Sequence, residues 1–491
     1  MVFYQLKNGM RNIVTGFNKL SQRSFTATQY VLIFFVIQIF ALSSIIRANY
    51  NYIDDLGRVV EGYRGWDNFS RHTSNILASL FHTHGVISDI SPLSQILAAV
   101  FLSFAALCLT RSIDKNQKKY SLFQLFAPLT LTISPYFLEC LSYKFDSPYM
   151  ALSVLCAIIP FALKIRSAMS FIITTICVIV VCTTYQVSLS IILILMVSIP
   201  FCRLNNGRSF VDVIKELFPV VVGFLFGLVL FKVFLLQEVN TYVSTTISIG
   251  SHVFENYVRF LSLLIDDWNP LWRNLTILVV VSFLISFIYK SKNKILALIY
   301  SILTVVGVFL FAFGFYPLLE HPLMATRAMY GIGAAISILC VYISSRGNAL
   351  LGSSVVALSW AFFVFCFIYG NSLHAQSSYT TFRTTLLIHD LNGIEAFNKE
   401  KHIKLTVKGD IGRSPLVKNA INKSPVLGRL IPSTLGDGEW IWSVYSLLHH
   451  YNLRDVEYVN TFDYSTEVDT VISSRYHDVY KKGDHFLVYM K

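Results

Sequence analysis

The stretch TQYVLIFFVIQIFALSSIIRA, residues 28–48, is an apolar run that ends at a polar and charged segment, NYNYIDDLGRVVEGYRGW, residues 49–66. A bilayer with a hydrocarbon core of about 30 Å requires roughly 20 apolar residues in a helix. The run is too long for the hydrophobic part of a signal peptide, and no small-residue cleavage site stands before the charged loop. We therefore expect a retained transmembrane helix that opens into a chemically dense loop.

Further apolar segments recur along the chain. It is 54% hydrophobic and 14% charged, with a mean hydropathy of +0.57, whereas an average soluble domain is about 25% charged. The sequence predicts a mainly α fold, a polytopic transmembrane bundle of about eleven helices. The predicted segments are 28–48, 92–110, 121–138, 148–163, 168–183, 187–202, 217–236, 273–289, 295–313, 328–345 and 348–370.

Basic residues concentrate on one side of this predicted bundle. One set of connections, beginning with residues 1–26, carries 17 Lys and Arg against three acids, and the opposite set carries seven against twelve. Because basic loops remain cytoplasmic, the amino terminus is expected in the cytoplasm and the carboxy terminus outside. The net charge of +12 is explained by this bias, so no nucleic-acid partner is expected.

The last part of the chain is polar enough to fold outside the bilayer. Residues 373–491 carry 14 Lys and Arg against 13 Asp and Glu. TLLIHDLNGIEAFNKE and EWIWSVYSLLHHY have helical spacing, HIKLTVKG alternates like a strand, and YHDVYKKGDHFLVYMK predicts a hairpin. We therefore predict two domains, a transmembrane region over 1–372 with its first outer loop at 49–91, and an α+β domain outside the membrane over 373–491.

The eight cysteines lie in or beside apolar segments, with no zinc-site spacing and no disulfide framework. We assign them to apolar packing. No metal ligands and no certain cofactor are predicted, although the need for a divalent metal stays open.

Asp54 and Asp55 follow the first helix directly. A carboxylate at this boundary can act as a general base, because burial raises its pKa. Adjacent helical residues point about 100° apart, so the two are expected to differ in role. The alternative is a solvated pair that caps the next helix.

Cations follow in the same loop. Arg58 lies one helical turn after the aspartates, and Arg64 lies six residues further on. A guanidinium suits phosphate and carboxylate equally, so phosphate binding and a salt bridge to Asp54 or Glu61 are both open.

Three other outer segments contribute candidates. PYFLECLSYKFDSPYM contains Glu139, Lys144 and Asp146, of which Asp146 could instead cap the following helix. Tyr185 and Gln186 lie at an outer turn, and Arg327 lies between two later helices.

The chain contains the motifs YIDDLGRVVEGYRGW followed by SR, LECLSYKFDSPYMAL and, as a weaker match, TTYQVSL. These motifs resemble those of the serotype-converting O-antigen glucosyltransferase family of enterobacteria and their prophages (Gtr type II group). The resemblance implies a GT-C-type enzyme of the bacterial inner membrane that takes glucose from undecaprenyl-phosphate glucose at the periplasmic face and transfers it to O-antigen polysaccharide. It also implies that 1–372 is the catalytic region and that 373–491 is a periplasmic domain. The family's catalytic acid in the first outer loop corresponds here to Asp54 and Asp55.

The implied reaction gives the other candidates roles. An acceptor hydroxyl must lose a proton as it attacks, and the leaving lipid phosphate needs cations, for which Arg58, Arg64, Lys144 and Arg327 are available. Trp66 can stack on a sugar face. Membrane lipid is a partner because the donor is lipid-linked.

Two alternatives remain at this stage. A lipid or sugar transporter or flippase also has many helices, but ion-coupled transporters usually place ionisable residues near the bilayer midplane, and here the charges gather at the outer mouth. A GT-C transferase that moves another sugar onto lipid A or protein would share every feature above.

The charge bias makes the topology testable. A reporter fused after Lys491 should be active only when it is a periplasmic reporter, because the carboxy terminus is expected outside. Activity of a cytoplasmic reporter at the same position would contradict the assigned orientation.

Overall fold

The fold is mainly helical with a small carboxy-terminal sheet. The computed structural model describes residues 24–237, 250–289, 291–399, 402–435, 441–453, 455–464 and 468–491. Most of the basic segment 1–26 and the centre of the outer connection 237–272 lie outside these ranges. The helices up to the middle of the chain are α1 (Ala27–Ala48), α2 (Asp55–Glu61), α3 (His72–Phe81), α4 (Leu93–Ile113), α5 (Leu122–Phe126), α6 (Leu129–Thr132), α7 (Pro135–Ser142), α8 (Ser147–Ala162), α9 (Ser167–Cys182) and α10 (Leu189–Asn205).

The second half continues this pattern before the sheet begins. Its helices are α11 (Phe210–Leu230), α12 (Ser251–Asp267), α13 (Pro270–Tyr289), α14 (Lys294–Leu310), α15 (Gly331–Ser345), α16 (Ala349–Asn392), α17 (Glu395–Lys399), α18 (Pro415–Lys423), α19 (Leu427–Leu430) and α20 (Ile441–His450). The strands are β1 (Ser24–Phe25), β2 (Tyr120–Ser121), β3 (Ile403–Gly409), β4 (Val456–Tyr458), β5 (Asp469–Ser473), β6 (His477–Lys482) and β7 (His485–Met490).

The predicted helical bundle is confirmed. Among the described residues, seven helical stretches are long and apolar enough to cross a membrane, and α5–α7 form a bent apolar pair with the composition of a broken span or a re-entrant loop. The apolar helices α8, α9 and α15 are shorter, at 15 or 16 residues. Together they coincide with the eleven predicted apolar segments.

The third predicted segment, 121–138, differs from a straight helix because it bends by 67°. Pro128 precedes α6, and Pro135 stands in the first turn of α7. Proline lacks a backbone N–H and therefore interrupts a continuous helix. The Ser134 hydroxyl accepts a hydrogen bond from Phe137 N and starts α7 anew. Because of this break, α7 points toward the site described below. Helix α7 carries Glu139.

Packing divides the helices into an inner and an outer set. In α15 every residue from Gly331 to Ser344 is buried, which explains how a helix of 15 residues is accommodated. Helices α11, α13 and α14 instead expose large apolar side chains, including Phe218, Ile285 and Ile302. In a bilayer such apolar faces contact lipid.

The carboxy-terminal sheet confirms the predicted α+β character of the tail. Its strand order is β4–β3–β7–β6–β5, with β3 parallel to both neighbours. The predicted hairpin is formed by β6 and β7 with Gly483 in the turn at a φ of +60°. The sheet packs on Leu387 and Leu391 of α16.

Helix α16 joins the bundle and the sheet. Its 44 residues extend about 66 Å at 1.5 Å per residue, roughly twice the hydrocarbon thickness. Buried Arg383 ties the helix to the sheet by donating to Tyr476 O (2.6 Å) and Lys491 O (2.7 Å). The domain boundary predicted at 372/373 falls inside this helix.

Candidate functional site

The loop after α1 is compact and reverses direction within a few residues. Asn49, with a φ of +46°, ends α1, and Asp54 and Asp55 begin α2. Gly62 ends α2 at a φ of +66°, where a Cβ would lie 2.3 Å from Val86 Cγ1. This close approach lets Gly62 O accept a hydrogen bond from Ile87 N (2.9 Å). Residues 49–66 are therefore fixed against the end of the same outer loop.

Asp55 is fully buried and connects two loops. Its Oδ2 accepts hydrogen bonds from Tyr52 N (3.1 Å) and from Lys144 N (2.9 Å). Its Oδ1 is buried without a hydrogen-bond partner in the described part of the chain. Burial raises the pKa of Asp55 to about 8, although the bond from Lys144 N opposes the shift. Asp55 is therefore a neutral, connecting carboxyl at neutral pH.

Asp54 has a different environment. It is half-buried, and its carboxylate makes no hydrogen bond or ion pair within the described residues. Burial raises the pKa of Asp54, while the positive charge of nearby Arg58 lowers it. Arg71 and Arg327 also lie close enough to lower this pKa. Asp54 is thus an unengaged carboxylate surrounded by cations.

The Asp146 side chain does not cap α8, so that alternative is wrong. It makes no capping hydrogen bond and instead accepts from Arg58 Nη1 and Trp66 Nε1. Arg58 and Asp146 are both buried, and the Arg58 guanidinium lies 4.6 Å from the centroid of the Trp66 ring. Arg58 therefore forms a salt bridge, but its partner is Asp146 and not Asp54 or Glu61. Trp66 is fully buried in this cluster, which leaves no free ring face for a sugar.

Glu139 and Arg327 form a second closed pair. Glu139 accepts hydrogen bonds from Thr326 Oγ1, from Arg327 N (2.5 Å) and from Arg327 Nη1 (2.7 Å). The Arg327 guanidinium lies 5.6 Å from the ring centroid of Tyr143, whose hydroxyl is buried without a partner in the described chain. The pair joins α7 to the connection before α15.

Lys144 is also engaged. Its ammonium donates to Asn51 Oδ1 (2.8 Å) and to Asp89 Oδ2 (3.0 Å). Its backbone N–H holds Asp55. Lys144 therefore ties the first and last parts of the outer loop to the α7–α8 connection.

Two predicted residues lie at the edge of the cluster. Arg64 is partly exposed and donates to Gly85 O (2.8 Å) and His84 O (3.3 Å), so it fastens a loop. Gln186 is exposed. Tyr185, in contrast, is buried in the cluster with its hydroxyl unpartnered among the described residues.

Arg71 is a site residue that the sequence analysis missed. A 3₁₀ turn over Asp67–Phe69 returns the chain so that Arg71 N donates to Trp66 O (3.0 Å). The guanidinium then lies 5.1 Å from the centroid of the Tyr185 ring and 3.9 Å from Asp146 Oδ1. It makes no hydrogen bond to the described chain, and its side chain is 22% exposed. The SR pair at residues 70–71, just after the first motif, was the feature of the sequence that could have identified Arg71.

No three His, Cys, Asp or Glu side chains cluster as metal ligands in the residues that the structure describes.

The family model for the glucosyl transferase GtrII matches residues 42–341, well over half of the chain. The chain belongs to this family. It is therefore a glycosyltransferase, and the transporter alternative is set aside. The GtrII match contains every site residue discussed so far, from Asp54 to Arg327, and ends before α16.

A relative from Salmonella phage P22 is 24% identical over 414 residues, which cover 80% of this chain and 84% of the relative. Its description reads "Uncharacterized 55.3 kDa protein in gtrB 5'region". No solved structure matches the chain. The GtrII family and the helical bundle together indicate a membrane glucosyltransferase.

The raised pKa of Asp55 predicts a pH dependence of stability. The folded state binds this proton up to about pH 8, whereas an unfolded aspartate loses it near pH 3.9. The contribution to stability is therefore complete below about pH 4 and is lost as the pH rises through 8. Thermal unfolding from pH 5 to 9 should show this loss.

The Asp55→Asn variant supplies the control, since its amide cannot ionise and its oxygen can still accept. It should fold, and its stability should vary less with pH over that range. An unchanged pH profile in Asp55→Asn would contradict a protonated Asp55.

Proposed function

We propose that this enzyme transfers glucose from undecaprenyl-phosphate glucose to a sugar hydroxyl of O-antigen at the periplasmic face, with Asp54 as the general base. The supporting observation is that Asp54 is half-buried and unengaged, while its neighbours Asp55, Glu139 and Asp146 are occupied by hydrogen bonds or ion pairs. A base needs a free oxygen that can reach a substrate proton. Among these four carboxylates, Asp54 best meets that condition.

The reaction balances with one base and one leaving phosphate. The acceptor oxygen forms a bond to C1 of glucose as the bond from C1 to the phosphate oxygen breaks. The acceptor proton passes to Asp54, and the lipid phosphate leaves with the electron pair. Lipid phosphate is already a good leaving group, so the site needs no second carboxyl as a general acid.

Arg71 is the proposed cation for the leaving phosphate. The donors of Arg58, Arg327 and Lys144 are directed to Asp146, Glu139 and Asp89. Arg71 keeps its guanidinium donors free of hydrogen bonds to the described chain. Guanidinium forms strong bidentate contacts with phosphate oxygens. The ring of buried Tyr185 lies against this guanidinium, 5.1 Å from centroid to Cζ, and holds it in the site.

The Asp54→Asn variant tests the base. It should insert normally and lose transfer by roughly 10²–10⁴-fold at unchanged donor KM, since proton removal is lost and shape is kept. In the wild type, kcat should fall on the acid side with a midpoint above an ordinary aspartate pKa, because burial raises the pKa of Asp54. Transfer is assayed with labelled undecaprenyl-phosphate glucose and purified O-antigen.

Asp67→Asn is the matched control, because Asp67 is an exposed carboxylate of the same loop. It should retain wild-type turnover. Wild-type turnover in Asp54→Asn would exclude Asp54 as the base.

The Arg71→Gln variant tests the phosphate contact. Loss of a charge-assisted hydrogen bond worth about 1.5–3 kcal/mol should lower kcat/KM for the donor by roughly 10–100-fold. Arg64→Gln makes the same change where the donors already bind loop carbonyls and should leave donor KM nearly unchanged. If Arg64→Gln impairs the donor step and Arg71→Gln does not, the two assignments are reversed.

A further inference from the structure

A short helix from the carboxy-terminal region is inserted among the site-bearing loops. Helix α19 has only four residues, yet Val426, Leu427, Leu430 and Ile431 are all fully buried. They belong to the same hydrophobic core as α1 and α7, and not to the core beneath the sheet. This segment lies beyond the region matched by the GtrII family model.

The backbone of α19 contacts the loop that carries Asp54. Leu430 O accepts a hydrogen bond from Tyr52 Oη (2.6 Å), and both residues are buried. Tyr52 N in turn donates to Asp55 Oδ2 (3.1 Å). Two hydrogen bonds therefore connect α19 to the aspartate pair.

The Arg429 side chain contacts two other parts of the site. It forms an ion pair with buried Asp267 and donates to Met324 O (2.5 Å). Asp267 also accepts from the hydroxyl of Tyr136 on α7 (3.1 Å), and α7 carries Glu139. Met324 precedes Arg327 in the same connection. Arg429 thus fixes the supports of the Glu139–Arg327 pair.

The sheet is linked to α19 through the residues after β3. Arg413 donates to Ile431 O (3.2 Å) and Gly428 O. Ser414 N donates to Gln376 Oε1 of α16 (2.9 Å). The position of α19 is therefore coupled to the sheet and to the long helix.

We propose that α19 supports the candidate active site around Asp54 and Arg71, and that Arg429 is a positioning residue for the loop bearing Asp54. Arg429 acts through Asp267, Met324 and the adjoining Leu430–Tyr52 bond, and it does not touch the reacting atoms. The proposal rests on the proposed function only in that Asp54 is the group being positioned. It also gives the carboxy-terminal region a role inside the membrane part of the enzyme.

The test compares Arg429→Gln with Arg475→Gln in the full-length protein, in nanodiscs. Arg475 is exposed in the turn between β5 and β6, so the same substitution there is the control. Arg429→Gln should lower kcat by roughly 10–100-fold, the scale expected when a reacting group is displaced by about 1 Å. Donor KM should change less than twofold, and hydrogen–deuterium exchange over residues 49–64 should increase. Arg475→Gln should change none of these.

Two further variants keep the test decisive if Arg429→Gln folds poorly. Arg429→Lys retains a cation for Asp267 and should recover part of kcat. Tyr52→Phe removes the hydroxyl that donates to Leu430 O and should raise exchange over 49–64. Unchanged exchange over 49–64 in both Arg429→Gln and Tyr52→Phe overturns the proposal, whether or not kcat falls. Increased exchange with wild-type kcat also overturns it.

The exchange measurement does not depend on the donor. If the wild-type enzyme fails to use undecaprenyl-phosphate glucose, the proposed function is wrong, whereas the effect of α19 on the loop is still decided.

Discussion

The buried ion pair between Arg58 and Asp146 is the interaction on which the site depends. It joins α2 in the first outer loop to the start of α8, and both side chains are nearly inaccessible to solvent. Removing one partner from a buried pair leaves an uncompensated charge, which typically costs about 3–5 kcal/mol. The Trp66 indole covers the Arg58 guanidinium and donates to the same carboxylate. The loop therefore has one well-defined position against the bundle.

Pairing also determines which charges remain for chemistry. Arg327 is neutralised by Glu139, and Lys144 by Asp89. Asp55 is held by backbone N–H groups at a raised pKa and stays neutral. Among the charged side chains of the site that the structure describes, the carboxylate of Asp54 and the guanidinium of Arg71 make no hydrogen bond to the chain. The transfer proposed above uses one group of each kind.

The sequence predicted the bundle well because apolar length is a local property. All eleven apolar segments are helical, and even the break in 121–138 has a visible cause in Pro128 and Pro135. The predicted site residues Asp54, Arg58, Glu139 and Asp146 do come together in space, since they lie in or beside the short helices α2 and α7 and the start of α8. What the sequence could not give were the pairings. Arg58 was open to phosphate or carboxylate, and only the three-dimensional position of Asp146 decides between them.

Arg71 and α19 escaped prediction for a different reason, because neither has a periodic pattern. Arg71 reaches the site through a 3₁₀ turn of three residues, and α19 is a helix of four. Helices this short are too small to show amphipathic spacing, so their structure is decided by tertiary contacts. The same contacts make α19 part of the membrane core, although its sequence neighbours belong to a polar tail. A domain boundary drawn from amino-acid composition therefore separates 1–372 from 373–491. The hydrophobic packing, in contrast, places α19 of the tail in the same core as α1 and α7, next to the loop that carries Asp54.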